Sequence, residues 1–305
     1  MASYTFWRLV QGLVILKLVL VCVFLLLHLT GDPAAVLAPV DATEQDITRI
    51  RRELGLDTPL HVQYARFFAG AIRGNFGRSF EHEQPAFWIV MEHLPATLEL
   101  TAAAFFFSVA VGIPLGCLAA YKENSLFDRV GIGWAVVAQA VPDFWLALMM
   151  IMVFSVFLGA LPAFGRGGLA HLVMPAFAAS TFQAARLARL MRSEMLEVLR
   201  REYILTARSK GLSEKMVLFR HALKNSSIPI VTVLGLDLGI LLGGTVIIET
   251  VFALPGIGRL LVSSLGVRDY PVVQGITLLT GVSVMVTNLV VDLSYTWIDP
   301  RAKAG

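Results

Sequence analysis

Six stretches of the chain are apolar for long enough to cross a bilayer, and polar segments separate them. They run roughly over Leu9–Leu29, Ala96–Ala120, Val130–Leu158, Leu172–Leu190, Ile228–Ala253 and Val272–Trp297. About 20 apolar residues at 1.5 Å per residue cross a hydrocarbon core ~30 Å thick. The pattern therefore predicts an all-α integral membrane protein with six transmembrane helices. The fourth stretch is the weakest, because Gln183 and Arg186 bring polarity into its second half. The third is long enough to tilt or to end in an interfacial turn. The first is expected to be a retained helix rather than a cleaved signal. Its apolar run exceeds the usual core of about 7–15 residues, Lys17 interrupts it, and no small-x-small site follows at Thr30–Pro33.

Between the first two spans the periodicity changes. Residues 43–54 read as a helix, with Thr43 as cap, Asp46 three residues later, and Ile47, Ile50 and Leu54 on one face. Residues 61–73 read as a second amphipathic helix, its apolar positions Tyr64, Phe67, Phe68, Ala71 and Ile72. Gly31-Asp32-Pro33 and Gly74-Asn75-Phe76-Gly77 are turn signals that flank this region. The expected organisation is an N-terminus with helix 1 over 1–30, an outer segment over 31–95, and a five-helix core over 96–305.

Composition agrees with the pattern. Of 305 residues 56% are hydrophobic and 15% charged, against about 25% charged in soluble domains. Mean hydropathy is +0.72. A disordered chain, a disulfide scaffold and a free cytosolic enzyme are excluded. The net charge of +3 is too small to imply nucleic acid as a partner. The distribution of charge says more. Segments 1–8, 121–129, 186–224 and 299–305 carry 15 Lys and Arg, whereas 159–171 and 255–271 on the opposite side carry 3. The long 31–95 segment counts little in this comparison. Both termini are expected on the cytoplasmic side.

Catalytic chemistry is absent from the sequence. Gly74 to Ser79 lacks the lysine and spacing of a phosphate loop, and His82-Glu83 has Ala86 where a zinc-protease helix needs histidine. His61, His82 and His93 lack metal-ligand spacing. Cys22 and Cys117, both inside apolar runs, are expected to be buried, unreactive thiols, with no metal site and no disulfide framework.

The most informative stretch is Ala185 to Pro229, on the basic side. Arg186, Arg189 and Arg192 recur every three residues as the fourth span leaves the membrane. Beyond Tyr203, Ile204 and Ala207 share a face of a short helix that stops at Gly211, a residue tolerant of left-handed backbone. Ser213 can cap a second helix with Met216, Phe219 and Leu223 on one face. A rigid helix–Gly–helix suits docking against another protein, while a basic loop held by anionic lipid fits the same residues. On the residues alone, both stay open.

The run Tyr203-Ile204-Leu205-Thr206-Ala207-Arg208-Ser209-Lys210-Gly211 resembles the cytoplasmic "EAA" loop of ABC importer permeases, with Leu205 in the place of the usual Glu. It is most similar to the subgroup serving dipeptides, oligopeptides, glutathione and nickel. More of the chain is similar, in the family's order: Leu54-Gly55-Leu56-Asp57, Leu94-Pro95-Ala96-Thr97, and Pro142 with Phe144-Trp145. Glu249-Thr250-Val251-Phe252, Pro255-Gly256-Ile257-Gly258-Arg259 and Asp299-Pro300-Arg301 complete it. The resemblance implies a type I ABC importer permease fold in a bacterial inner membrane, with a coupling loop over 192–224. It implies a second homologous permease, two cytoplasmic ATPases and a periplasmic solute-binding protein as partners. ATP and Mg would be bound by the ATPases, and this chain would hold no cofactor. Tyr203, Thr206, Ala207, Arg208, Lys210, Gly211 and Leu212 would dock in an ATPase groove. The implied solute is a short peptide; nickel or glutathione is the alternative within the family. An ion-coupled secondary transporter is the alternative of another class, and it needs paired broken helices and ion sites in both halves.

Ionisable residues inside the spans need a polar environment. Lys17 and Glu99 lie a few turns inside helices, with Glu99 expected to snorkel, and Asp292 sits near the inner end of the last span. Glu249 is expected to fix a short outer-face helix over Phe252–Leu261. Asp143 follows Pro142 and Trp145 comes two residues later; Asp237 lies mid-span. Gly235, Gly239 and Gly243 form a small-residue stripe that permits close helix packing. Asp237 points about 160° away from the middle glycine of that stripe. Two readings follow for Asp143 and Asp237: carboxylates lining the path of a cationic moiety, or structural groups, either a buried pair or carboxylates bonded to hydroxyls and backbone.

Overall fold

The computed structural model describes residues 2–29, 34, 38, 42–53 and 55–298. Leu54, Gly31-Asp32-Pro33 and Asp299-Pro300-Arg301 lie outside the described residues, as does the side chain of Asp292. The helices are α1 (Ala2–Leu29), α2 (Glu44–Glu53), α3 (Leu60–Ile72), α4 (Ala86–Tyr121), α5 (Leu126–Ala140) and α6 (Asp143–Met150, continued by a π-helical turn to Phe157). They continue with α7 (Leu169–Leu199), α8 (Glu202–Ser209), α9 (Glu214–Met216, continued by a π-helical turn), α10 (Leu223–Gly244), α11 (Val246–Val251), α12 (Ile257–Gly266) and α13 (Tyr270–Ile298).

The described α4 and Tyr270–Val291 of α13 are each long and apolar enough to cross a membrane. Two bent pairs raise the number to four if each is one span: α5 with α6, and the segments meeting around Pro229. α1 contributes a shorter apolar window, Val10–Leu25. α7 is less apolar than these, through the polar half noted above. The expected third span is broken rather than merely tilted. It turns by 103° between Ala140 and Asp143, because Pro142 holds the extended backbone that ends α5 and opens α6.

Two compact units share the chain, and each has its own apolar core. One comprises residues 1–97 with 255–285, the other 98–254 with 286–305. Segment 255–285 thus joins the N-terminal unit rather than the expected 96–305 core. The reason is packing: Ile257, Leu260, Val272 and Ile276 are buried with Ala86, Ile89 and Val90. There the Thr97 hydroxyl accepts the Ile257 amide at 2.9 Å, so the Leu94–Thr97 and Pro255–Arg259 motifs meet. In the same unit the predicted cap forms. Asp46 accepts from the Thr43 amide at 2.9 Å and its hydroxyl at 2.7 Å. These bonds, the hydroxyl's first, hold Asp46 below the usual carboxylate range, so the cap is complete above that range and weakens as pH falls through it. The rings of Phe24, Tyr64 and Phe67 stack α1 on α3. Buried Asp269 accepts from the Ser79 hydroxyl and, at 3.1 Å, from the Phe80 amide, which pins the loop before α4.

The other unit is organised around α7. Leu100, Ala104, Met150, Met174, Leu241 and Phe252 fill one end, and Ala120, Leu187, Met191, Met195 and Ile230 fill the other. Close approach of α4 is set by Gly112 and Gly116. A Cβ at Gly116 would lie 2.5 Å from the Ala188 carbonyl oxygen and 2.6 Å from Met191 Cβ. The stripe on α10 has the same function at Gly235, where a Cβ would lie 2.0 Å from a Val291 methyl. Gly239 is buried and Gly243 is exposed.

Several expectations are corrected here. The helix expected over Phe252–Leu261 starts at Ile257, because Ala253 at φ 51° turns the chain first. Glu249 is fully buried and accepts the Thr245 hydroxyl at 2.8 Å, while its carbonyl accepts the Leu254 amide. Glu99 does not snorkel alone: Arg166 pairs with it through two nitrogens at 2.5 and 3.2 Å. Cys22 is exposed on α1 and Cys117 is partly buried, rather than both being buried.

Gly116→Ala is expected to lower the stability of the purified protein in detergent by about 1–3 kcal/mol, the cost of overpacking. Gly133→Ala, with nothing within 4 Å of the added Cβ, is expected to leave the melting temperature unchanged. Equal melting of both variants would show that α4 does not need the close approach.

Candidate coupling segment and the arginines of α7

The basic segment folds from its own periodicity. On α8, Ile204 and Ala207 turn inward and join Met191, Met195, Val217 and Ala222 in one buried cluster. Lys210 ends the helix and Gly211 at φ 78° reverses the chain, a conformation that costs a residue with a Cβ about 1–2 kcal/mol. The Leu212 amide then closes the turn on the Ala207 carbonyl at 3.3 Å. Ser213 occupies the capping position of α9 with extended backbone, but its side chain makes no cap bond. Across the turn Arg208 forms a two-pronged pair with Glu214, at 2.8 and 3.2 Å. The Tyr203 hydroxyl accepts from Asn225 at 3.0 Å, which ties α8 to the start of α10.

The outward face follows from this. Tyr203, Leu205, Thr206, Arg208, Lys210 and Gly211 are exposed, and so is Phe219 beyond them. Leu212 is half-buried. Ala207 is buried, so it serves to seat the helix and is not available for contact.

Behind the segment, α7 carries three arginines, each with an acceptor on a neighbouring helix. Arg192 grips Asp128 at the start of α5 with Nε at 2.6 Å and Nη2 at 2.7 Å. The Asn124 amide also donates to that carboxylate at 2.9 Å. Arg189 donates to Gln139 at the end of α5 at 2.6 Å. Arg186 donates to Asp237 on α10 through Nη2 alone. Steps of three residues move the contact around the helix by about 60° each, which is why one helix reaches two neighbours. Just beyond α7, Arg200 pairs with Glu123 at 2.7 Å.

Asp237 is fully buried. Gly235 faces Val291 and the Asp237 carboxylate faces α7. Asp237 is thus paired in the structure, with Arg186 rather than with Asp143. Asp143 is half-buried at the first turn of α6, where the helix N-terminus favours a negative charge. Among the described residues it has no paired cation and is not joined to Asp237. Pro142 and Trp145 are exposed beside it. Gly256 precedes α12 with extended backbone; Gly256 and Gly258 are buried, and Pro255 is half-buried.

The arginine partners were not anticipated. The three-residue spacing was visible, but its acceptors lie 50 to 64 residues away in sequence. Acids at Asp128 and Asp237 on otherwise apolar helices were the only available signal. The close-packing glycines of α4 were likewise missed.

Among the described residues the arrangement is all-helical, with apolar helices long enough to cross a membrane, an exposed basic segment and no catalytic constellation. Residues 112–304 match the family described as binding-protein-dependent transport system inner membrane component, and residues 1–101 match its N-terminal family. The chain belongs to this family. A putative peptide transport system permease protein of Brucella abortus (strain 2308) is 42% identical over 305 residues, covering 97% of each chain. The glutathione transport system permease protein GsiC of Salmonella paratyphi A is 40% identical over 304 residues, covering 99% of each. The fold is similar to that in the inward-facing MetNI methionine ABC transporter, with a TM-score of 0.58 at 19% identity, over 70% of this chain and 97% of the other. An amino acid ABC transporter matches with a TM-score of 0.55 at 17% identity, over 68% and 93%. The all-α, type I importer permease fold expected from the resemblance is the fold observed.

Asp128→Asn is expected to destabilise the protein by about 3–5 kcal/mol, because it leaves Arg192 without its charge partner in a mostly buried site. Removal of the exposed Arg208–Glu214 pair is expected to cost less than about 1 kcal/mol. Thermal unfolding in detergent ranks the two, and the reverse order would make the turn, not α7, the firmer element.

Proposed function

We propose that this chain is one of two homologous permease subunits of an ATP-driven importer for short peptides or a related small solute. The observation that carries the reading is full-length similarity to peptide and glutathione permeases at 40–42% identity. The exposed α8–Gly211 turn, built on a buried seat, supports the expected docking surface for an ATPase. In this reading Tyr203, Thr206, Arg208, Lys210 and Gly211 form the contact, with Leu212 at its edge, and Ala207 holds it in place. The six spans, with both termini cytoplasmic, put this segment on the side where ATP is available.

The partners are a second permease, two ATPases and a periplasmic solute-binding protein, all within or against the inner membrane. ATP and Mg belong to the ATPases. Closure of the ATPases draws the coupling segments together and biases the spans between inward-open and outward-open states.

Reconstitution of the complete complex in proteoliposomes tests this. Uptake of a radiolabelled dipeptide is expected to require internal-facing ATPases, ATP and the binding protein, and to stop when the ATPases carry a dead catalytic site. Uptake that persists with dead ATPases and falls with an ionophore would overturn the reading in favour of ion coupling. Arg208→Glu with Lys210→Glu is expected to release the ATPases during purification while the permease still folds.

A further inference from the structure

Two ion pairs on α7 lie six residues apart and differ in kind. Arg192 and Asp128 saturate each other: two parallel bonds at 2.6 and 2.7 Å and a third from the Asn124 amide. Arg186 and Asp237 share a single bond, from Nη2 to Oδ1. The second carboxylate oxygen, Oδ2, is buried and has no partner among the described residues; the same holds for Arg186 Nε. Gln183, one turn earlier on α7, is a third case. It is more than nine-tenths buried, and its Oε1 also lacks a partner among the described residues.

Burying a pair of opposite charges costs more desolvation than one bond returns, and each unmade buried bond adds to that cost. The Arg192 pair has the geometry of a fixed staple. The Arg186 pair is the less stable of the two and keeps free bonding capacity of both signs: a donor at Nε, acceptors at Oδ2 and Gln183 Oε1. It is also reachable, since the Arg186 side chain is 33% exposed while that of Asp237 is sealed.

We propose that Arg186 and Asp237, with Gln183 one turn away on α7, form an exchangeable charge pair that opens to receive a zwitterionic solute in the course of transport. The solute's carboxylate meets the guanidinium and takes both Nη2 and Nε, a fork that matches carboxylate geometry. Its ammonium takes the released Asp237 carboxylate, with Gln183 Oε1 as a further acceptor. Opposite charges replace opposite charges, so the site stays neutral throughout and no lone ion is left in a dry environment. This distinguishes the class of solute. A simple cation would satisfy Asp237 and strand Arg186 beside it, and an anion would do the reverse. A free peptide, with an ammonium at one end and a carboxylate at the other, satisfies both. The inference rests on the importer reading and names the charge pattern which that reading leaves open.

The test uses the assembled permease–ATPase complex in nanodiscs without the binding protein, so that selection by that protein does not enter. Equilibrium dialysis measures binding of trialanine, N-acetyl-trialanine and trialanine amide. Trialanine is expected to bind about tenfold or more tightly than either capped peptide, the effect of one lost charged hydrogen bond. Arg186→Gln with Asp237→Asn, which keeps the net charge unchanged, is expected to bind all three with the same affinity. Equal binding of the three peptides by the wild-type complex, or no binding of any, overturns the exchange site even if the double variant fails to assemble. Retained preference for trialanine in an assembled double variant overturns it as well. Peptide import with its binding protein is read separately in proteoliposomes. Import without the preference ends this inference alone, and loss of all import ends the reading beneath it.

Discussion

A guanidinium partly withdrawn from water must find an acceptor, and Arg186 and Arg192 of α7 meet that requirement, with exposed Arg189 between them also bonded. The requirement fixes more than the arginines. Asp128 and Gln139 lie at opposite ends of α5, so Arg192 and Arg189 set the position of that helix along its length. Arg186 adds α10 from another side. Apolar packing between helices is tolerant of sliding, because one leucine contact substitutes for another. Charge pairs are not, since a shift of one turn leaves an unmatched ion. The arginines therefore supply register, and the apolar clusters at Met174 and Met191 supply cohesion.

Close packing makes those bonds reachable. Gly112 and Gly116 bring α4 against the α7 backbone at Ala184 and Ala188, on a face where any side chain would hold it off. Gly235 brings α10 close to α13 and leaves Asp237 turned toward α7. Helices in lipid gain little from apolar contact with one another, so small residues that allow short backbone distances are one of the few means of association.

Much of the helical framework was legible in the sequence. Apolar runs located α1, α4 and α13, the Thr43–Asp46 cap located α2, and Ile204 with Ala207 identified the buried face of α8. The break at Pro142 was partly legible, since proline ends a helix, but its 103° turn depends on what α6 packs against. The pairing of Asp237 was not legible. A helical angle says where a carboxylate does not point; it takes the neighbouring helix to say what it meets. The same limit explains Glu99 and Arg166, which are 67 residues apart and meet only once the chain has returned. The packing of segment 255–285 with the N-terminal unit was not legible for a related reason: chain continuity groups it with the core, and the apolar faces of Ile257 and Ile276 meet Ile89.

One helix connects the exposed segment to the buried charges. Ile204 and Ala207 of α8 sit in the same cluster as Met191 and Met195 of α7, which lie on either side of Arg192. Val217 and Ala222 at the start of the return path share that cluster. A protein interior is close-packed and transmits displacement rather than absorbing it. A force applied to the outer face of α8 thus reaches the lower part of α7 directly, without passing through a flexible loop. There it meets Arg192, fixed by two bonds to Asp128, and three residues further on Arg189. Arg186 and its single bond to Asp237 come last. Along α7 the doubly bonded arginine lies nearest the exposed segment, and the single bonds of Arg189 and Arg186 lie further along the helix.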